Sequence, residues 1–145
     1  MRKGLMILAL GVFLLSGCAG LDLVLLAGEA ALTATDVNTM MKRMDYSDTI
    51  QADFDKVWAA AKVTVEGMGI KISEEKLHEN GNSGTIIGKT ADNKKIQVLV
   101  SVTTPVITTV GIKTRKGALT NADFSFAVMI FEDIVQRCQK TAEKT

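Results

Sequence analysis

The spacing of apolar and polar residues changes along the chain, and each spacing predicts a type of secondary structure. In residues 54–68 apolar side chains recur every three to four positions, which is typical of a helix with one buried face. Residues 96–103 alternate between apolar and polar side chains, which predicts a strand with one face in the core. The same criteria predict four further strands and a last helix with a broad apolar stripe: strands at 44–51, 70–75, 84–91 and 106–115, and a helix ending near the polar tail from Gln139.

Residues at the ends of the helical segments fit the roles of helix caps. Asp53 is a suitable N-cap for the first helix, because its carboxylate can accept hydrogen bonds from the free amides of the first turn. Gly67 and Gly69 are expected to end that helix. Thr120 or Asn121 is expected to cap the last helix.

The predicted elements follow the order β-α-β-β-β-β-α. Asp92 and Asn93 lie where a tight hairpin turn is expected, and Pro105 separates the last two strands. An antiparallel sheet of four to five strands with two helices packed on one face is the simplest way to bury both helical stripes. We therefore predict a single globular α+β domain over residues 43–142. Leu99 falls on the polar side of its strand, so the second face of the sheet is expected to be partly covered.

The first residues have the pattern of a secretory signal. Arg2 and Lys3 precede an uninterrupted apolar run, Leu5–Leu15, and the small residues that a signal peptidase admits follow in Leu15-Ser16-Gly17-Cys18. Residues 1–17 are therefore predicted to be a signal peptide preceding the domain. The alternative is an uncleaved membrane helix, but the charge-free stretch is close to the lower length limit for crossing a bilayer before Asp22 interrupts it.

The tetrapeptide ending at Cys18 resembles the lipobox of bacterial lipoproteins. The resemblance implies diacylglyceryl transfer to the Cys18 sulfur, cleavage between Gly17 and Cys18, and acylation of the new amino terminus, with palmitate for example. The partner would then be a membrane, reached through covalent lipid. Ala19 implies sorting to the outer membrane, facing the periplasm, if the host is Gram-negative. Residues 18–42 become a lipidated, apolar membrane-proximal segment or linker, and packing of this segment on the domain stays open.

Three short runs resemble those of small bacterial envelope lipoproteins that carry one domain of unknown function: Asp53–Ala60, Gly69–Ile72 and Ser83–Ile86. Such proteins share a lipobox, a capped helix leading to a glycine and an Ile-x-Ile strand, and a meander of strands. The order of elements also resembles, at the level of the fold, the helix-grip domains of the lipoprotein C subunit of the outer-membrane β-barrel assembly machinery. Neither resemblance implies a functional residue other than Cys18.

Charge and cysteine content narrow the function. The 17 basic and 16 acidic residues nearly balance, which argues against a nucleic-acid partner. A lipid on Cys18 would leave Cys138 unpaired, although an intermolecular disulfide stays open. Cys138 shares one helix face with Phe124 and Phe131, so we expect it to be a buried core residue.

Other combinations of reactive residues do not form a recognisable site. His78 is the only histidine, and we expect it to be a solvated loop residue without a catalytic partner. Gly88-Lys89-Thr90 lacks the first glycine of a phosphate loop, because Ser83 occupies that position. The neighbouring acidic residues are expected to form a solvated edge: Glu74, Glu75 and Glu79. No zinc-ligand spacing is present. We therefore expect no catalytic residue, cofactor or metal, and no enzymatic activity.

Two basic clusters remain: Lys94-Lys95, and Lys113 with Arg115 and Lys116. They are interpreted as charge at strand ends, with contact to anionic lipid or peptidoglycan as a sharper hypothesis. The function expected from the whole sequence is a membrane-anchored lipoprotein of the cell envelope, with a non-enzymatic binding or scaffold domain and an envelope protein as candidate partner. The alternative is a lipoprotein that binds a small ligand, a lipid or glycan, in a pocket between sheet and helices. That pocket would be lined by Trp58, Met68 and the Phe124–Phe131 face.

Overall fold

The computed structural model describes residues 34–116 and 123–144. Ala34–Thr145 form one compact unit. Its elements in chain order are α1 (Ala34–Met41), β1 (Tyr46–Ile50), α2 (Phe54–Gly67), β2 (Lys71–Leu77), β3 (Ser83–Lys89), β4 (Lys94–Thr104), β5 (Ile107–Lys116) and α3 (Phe124–Glu143). The predicted strands and helices are all present with slightly shifted ends, and α1 is an additional helix.

The five strands form one open antiparallel sheet in the order β1-β5-β4-β3-β2. Strands β2 to β5 follow one another as a meander, and β1 pairs with β5 at the opposite edge. Helix α2 connects the two edge strands. The predicted α+β class and antiparallel sheet are therefore confirmed, and the strand number is five. The predicted signal peptide lies outside the described residues.

The main hydrophobic core lies between one face of the sheet and helices α2 and α3. Four side chains of the central strands have no exposed surface: Val98, Val100, Val110 and Ile112. The helices contribute a matching set: Val57, Ala61, Val65, Ala127, Ile130 and Ile134. Each buried Val or Ile side chain stabilises the fold by about 1.5–3 kcal/mol relative to its exposure to water. The two helices pack on one face of the sheet, as predicted.

Helix α2 begins and ends where the sequence predicts. The Asp53 carboxylate accepts a hydrogen bond from the Lys56 amide at 2.9 Å. At the other end Met68 donates to the Thr64 carbonyl, and Gly69 adopts a left-handed φ of 72° that favours glycine. These two ends place Trp58 of α2 over β3.

Helix α3 begins later than the sequence indicates. Its N-cap is Asp123, whose carboxylate accepts a hydrogen bond from the Phe126 amide at 3.0 Å. The prediction of Thr120 or Asn121 as the cap is therefore wrong. Phe124, expected in the buried stripe, is 56% exposed, and its ring forms an edge-to-face contact with Tyr46, with the ring centroids 5.7 Å apart.

A contact with Thr114 of β5 fixes the start of α3 at Asp123. The Thr114 hydroxyl accepts a hydrogen bond from the Asp123 amide at 2.8 Å. The Asp123 carboxylate also forms an ion pair with Lys94 at 2.6 Å. Contacts to β4 and β5 thus select this cap among several residues with similar local propensity.

Local sequence accounts for the turn between β3 and β4 and for the exposed, irregular edge strand β2. Asn93 adopts a left-handed φ of 63° in the β3–β4 turn, in agreement with the predicted tight turn. Strand β2 is exposed along most of its length and shifts register between Ile72 and Glu74. Beyond this shift Glu74 and Glu75 point to opposite faces. Charge and irregularity are common protections of an edge strand.

Helix α1 lies within residues 18–42. From the sequence, this segment could be a linker, a membrane-proximal segment or a segment packed on the domain. Val37 of this helix is 4% exposed, so α1 packs on the domain. Residues 18–33 of the segment lie outside the described residues. In the described part of the chain, no helix combines the length and the apolar character needed to cross a membrane.

Candidate functional site

One face of the sheet points away from α2 and α3, and we call it the outer face. It carries polar and charged side chains that do not belong to the main core. On β4 the core residues alternate with Lys95, Gln97, Leu99 and Ser101. Cross-strand pairing extends each of these positions into a row across the sheet. The outer face therefore divides into a basic region, an apolar centre and a hydroxyl-bearing region.

Helix α1 covers the centre of the outer face. Leu99 has no exposed surface although it points away from the main core, as its position on the polar side of the strand indicated. Its cross-strand partner is Gly111. A Cβ at Gly111 would lie 2.6 Å from Met44 Cγ and would also collide with Met41, so the absence of a side chain lets α1 approach the sheet.

The basic region is one row of cations across four strands. Lys71 pairs with Lys89, Lys89 with Lys95, and Lys95 with Arg115. We call these four residues the basic row. The first three are exposed. Neighbouring strands lie about 4.8 Å apart, so the row extends over about 14 Å.

Lys113 widens the basic row on β5. With Lys95, Gln97 and Arg115 it lines a shallow recess of about 160 Å³. Arg115 is partly neutralised, because its Nη1 lies 2.7 Å from an Asp45 carboxylate oxygen. The positive charge that the row exposes to solvent therefore comes mainly from its lysine ammonium groups and less from the Arg115 guanidinium.

The register brings together the two basic clusters of the sequence. Lys95 and Arg115 come from different clusters and are direct cross-strand partners. Lys94 points instead to the helices, where it binds Asp123. The side chain of Lys116 lies outside the described residues. The sequence did not assign Lys71 and Lys89 to a basic cluster, because only the strand register shows that they continue the row.

The hydroxyl-bearing region lies about 20 Å from the basic row along β4, since six residue-to-residue steps of about 3.3 Å each lead from Lys95 to Ser101. Here α1 and the sheet enclose a cleft of about 390 Å³. Its polar lining consists of three amides and four hydroxyls: Asn38, Asn80, Asn82, Ser83, Ser101, Thr103 and Thr109. Ser83 is 1% exposed, and its Oγ has no hydrogen-bond partner in the described part of the chain. A buried hydroxyl without a partner is costly for the fold.

His78 is buried beside this cleft, and the prediction of a solvated loop histidine is wrong. Its backbone amide donates to the Ser83 carbonyl at 2.9 Å, and its Nε2 lies 3.2 Å from Thr85 Oγ1. These contacts extend the β2–β3 pairing into the hairpin and turn the imidazole inward. Burial, and then the charge of Lys76, lower the pKa of His78.

The other residues considered from the sequence lie apart from the outer-face regions or outside the described chain. Gly17 and Cys18, the predicted cleavage and lipidation residues, lie outside the described residues. Cys138 is 5% exposed in the main core, as expected, and burial raises the pKa of its thiol. The three acidic residues near β2 are exposed, as expected: Glu74, Glu75 and Glu79. Glu75 forms an ion pair with Lys62 at 2.9 Å.

Gly88 and Lys89 lie within β3, as the rejection of a phosphate loop implies. Three of the residues suggested for a pocket between sheet and helices take part in the packing of the main core. Trp58 and Phe131 belong to the main core, and Met68 packs against it. No cluster of three potential metal ligands occurs among the described residues.

Comparison with known protein families identifies the family of the chain. No curated protein matches the chain. The model of one protein family matches residues 3–122, which is most of the chain and includes the whole sheet. The chain therefore belongs to the family described as "Protein of unknown function (DUF3568)".

Proposed function

We propose that this protein is a lipoprotein of the bacterial cell envelope, held on a membrane by lipid on Cys18, whose α+β domain is a non-enzymatic binding or scaffold module. The order of features along the chain carries the proposal. A basic head, an apolar run and the tetrapeptide Leu15–Cys18 come first, and the compact unit starts at Ala34. This is the order of a cleaved lipoprotein signal followed by a tethered domain.

The lipid chemistry supports a durable tether. Each buried methylene of an acyl chain contributes about 0.8 kcal/mol, so one chain binds marginally and two or more chains bind stably. A Cys18 that carries a diacylglyceryl group and an acylated amino terminus would hold the domain permanently. Ala19 supports placement in the outer membrane, facing the periplasm, if the host is Gram-negative.

The outer face supports a binding role for the domain. The opposite face is filled by the main core, whereas the outer face keeps an exposed cationic row and a polar cleft. The order of elements along the sequence resembles, at the level of the fold, helix-grip domains of an outer-membrane assembly lipoprotein. That likeness supports an envelope protein as a candidate partner and no particular site residue.

Metabolic labelling with an alkyne fatty acid in a bacterial host tests the anchor. We expect the wild-type protein to be labelled and to gain the mass of the lipid, and Cys18→Ala to be unlabelled and to keep residues 1–17. Cys138→Ala is the matched control, since it removes the other thiol and should stay labelled. Labelling that persists in Cys18→Ala, or a wild-type protein without label, would refute the proposal.

Binding of a small neutral ligand, which would be a glycan unit, is a second candidate function, and the unpartnered Ser83 hydroxyl favours it. The cleft lining offers amide and hydroxyl groups without a charged side chain. Its volume of about 390 Å³ lies in the range of ligand sites. This placement differs from the pocket between sheet and helices that the sequence suggested.

Ser83→Ala tests the cleft in two ways. The variant should raise the free energy of unfolding of the free protein by about 1 kcal/mol, because a buried unsatisfied hydroxyl is removed. It should also abolish any chemical-shift change produced by neutral saccharides at residues of the cleft. Ser47→Ala is the control, because Ser47 of β1 also lies on the outer face of the sheet but does not line the cleft. A destabilised Ser83→Ala, or saccharide shifts that are equal in both variants, would exclude this function.

A further inference from the structure

We propose that the basic row docks the outer face on the anionic phosphate headgroups of the membrane that holds the lipid anchor. This inference rests on the proposed lipid anchor and adds an orientation to it. The lipid anchor holds the domain at the membrane, and the basic row orients the domain so that its outer face contacts the membrane.

The basic row has no evident purpose in folding. Like charges at directly opposed cross-strand positions repel each other, whereas opposite charges or apolar pairs would stabilise the sheet. Protection of a sheet edge explains a lysine only on an edge strand. Lys89 and Lys95 lie on the inner strands β3 and β4, so that explanation does not apply to them.

The row is open to a large planar partner. Helix α1 covers the centre of the outer face but leaves Lys71, Lys89 and Lys95 exposed. An array of ammonium groups over about 14 Å fits the repeating phosphates of a bilayer surface. Each lysine near such a surface strengthens binding about fivefold.

The segment between α1 and β1 adds charge on the same side. Met41 and Met44 both approach Gly111 on the outer face, and the exposed Lys42 and Arg43 lie between them in sequence. These two cations therefore flank the surface that carries the basic row.

The position of the tether favours the membrane over other anionic partners. Residues 19–33 join Cys18 to α1, and α1 lies on the outer face. Even fully extended, a segment of this length spans only about 50 Å. The lipid surface is thus always within reach of the basic row, at a high effective concentration.

Amine footprinting of the full acylated protein in vesicles tests the inference. Vesicles of phosphatidylcholine alone are compared with vesicles that also contain phosphatidylglycerol, and acetylation of each lysine is followed by mass spectrometry. We expect acetylation of Lys89 and Lys95 to slow several-fold on the anionic vesicles and to recover at high salt, because salt screens exposed charges. Lys140, exposed on α3, should react equally on both. Equal reactivity of the row on both vesicle types would overturn the inference.

A pair of double variants separates docking from general charge. Lys89→Gln with Lys95→Gln should weaken docking about 25-fold, at about fivefold per lysine, and expose Lys71 and Lys113 to acetylation. Lys140→Gln with Lys144→Gln removes the same charge from α3 and should leave protection of the row unchanged. Equal loss of protection in both double variants would contradict a specific basic row.

The same preparation distinguishes the anchor from the docking. Flotation with phosphatidylcholine vesicles needs only the lipid, so failure to float would refute the anchor. Flotation without charge-dependent protection would refute the docking alone. Protection of the row by peptidoglycan fragments, with none by anionic vesicles, would also overturn the inference in favour of a cell-wall partner.

Discussion

The indole of Trp58 lies directly against Gly84 of β3, and a Cβ at residue 84 would be 2.6 Å from Trp58 Cζ3. A real Cβ cannot occupy that distance, so α2 can approach the sheet here only because position 84 has no side chain. Trp58 itself is 9% exposed and is part of the main core. The pair therefore determines how closely α2 packs on β3.

Gly84→Ala is expected to lower the free energy of unfolding by about 1–3 kcal/mol, because the added methyl overpacks the contact with the indole. Denaturant unfolding measures this change. In a Trp58→Leu background the same substitution should cost clearly less, since the clashing ring atoms are absent. An equal cost in both backgrounds would mean that the indole contact is not the cause.

Gly111→Ala should loosen α1 without unfolding the sheet. The new methyl would collide with Met44 and Met41, and both belong to the segment that holds α1 on the outer face. Hydrogen exchange should accelerate in residues 34–41 and stay unchanged in β4. Ser47→Ala changes the cross-strand neighbour of Gly111 without adding atoms and serves as the control. Unaltered exchange of α1 in Gly111→Ala would contradict this contact.

Two substitutions of Asp123 should separate its two roles. Asp123→Asn keeps an N-cap acceptor but removes the charge that lies 2.6 Å from Lys94 Nζ, so it should cost less than about 1 kcal/mol. Asp123→Ala removes the cap as well and should cost about 1 kcal/mol more. Thermal or denaturant unfolding compares them. Equal costs would assign the whole effect to the ion pair.

His78 should make the domain less stable in mild acid. Its pKa is lowered in the folded state, so the folded protein binds the proton less readily than the unfolded chain. The contribution is therefore fully present above the ordinary pKa of 6.5 and is lost as the pH falls toward the folded-state pKa, by at most about 1.4 kcal/mol per pH unit.

Melting temperatures between about pH 7.5 and pH 5 test this dependence, since this range covers the titration of a histidine. His78→Gln can still hydrogen-bond Thr85 but does not titrate, so its melting temperature should fall less over the same range. Parallel pH profiles for the two proteins would contradict a buried neutral imidazole.

Cys138 should react slowly with thiol reagents in the folded protein. Burial is the main cause that raises its pKa, and the nearby Asp53 adds to the effect while Lys56 opposes it. Because the thiolate is the reactive form, both low access and a raised pKa slow alkylation. We expect labelling of Cys138 to follow unfolding in a denaturant titration. Rapid labelling of the native protein would show that α3 opens locally.

The sequence predicted those features that depend on residues close together along the chain. The two-residue alternation around Val98 and Val100 corresponds to β4, and Asp53 caps α2 as expected. Several nearby residues at the start of α3 have similar capping propensity, and only contacts to Thr114 and Lys94 select Asp123. Tertiary contact therefore decides where local propensity is nearly equal.

The candidate site could be predicted only in part, because its parts meet through strand register. Lys95 and Arg115 stood out as members of basic clusters, but their pairing with Lys89 and Lys71 requires three strand ladders in the correct alignment. A one-residue shift in any ladder would send a lysine to the other face. His78 was misjudged for the same reason, since its burial depends on pairing across a hairpin.

The irregular, charged edge at β2 has a consequence for many copies of this protein on one membrane. Lipid anchoring would confine the domains to two dimensions, where neighbouring molecules collide far more often than in dilute solution. An uninterrupted apolar edge would then template sheet-to-sheet aggregation. The register shift after Ile72, together with exposed Glu74 and Lys76, makes such pairing unfavourable. Under the proposed anchoring, this edge would keep crowded domains from pairing through their sheets.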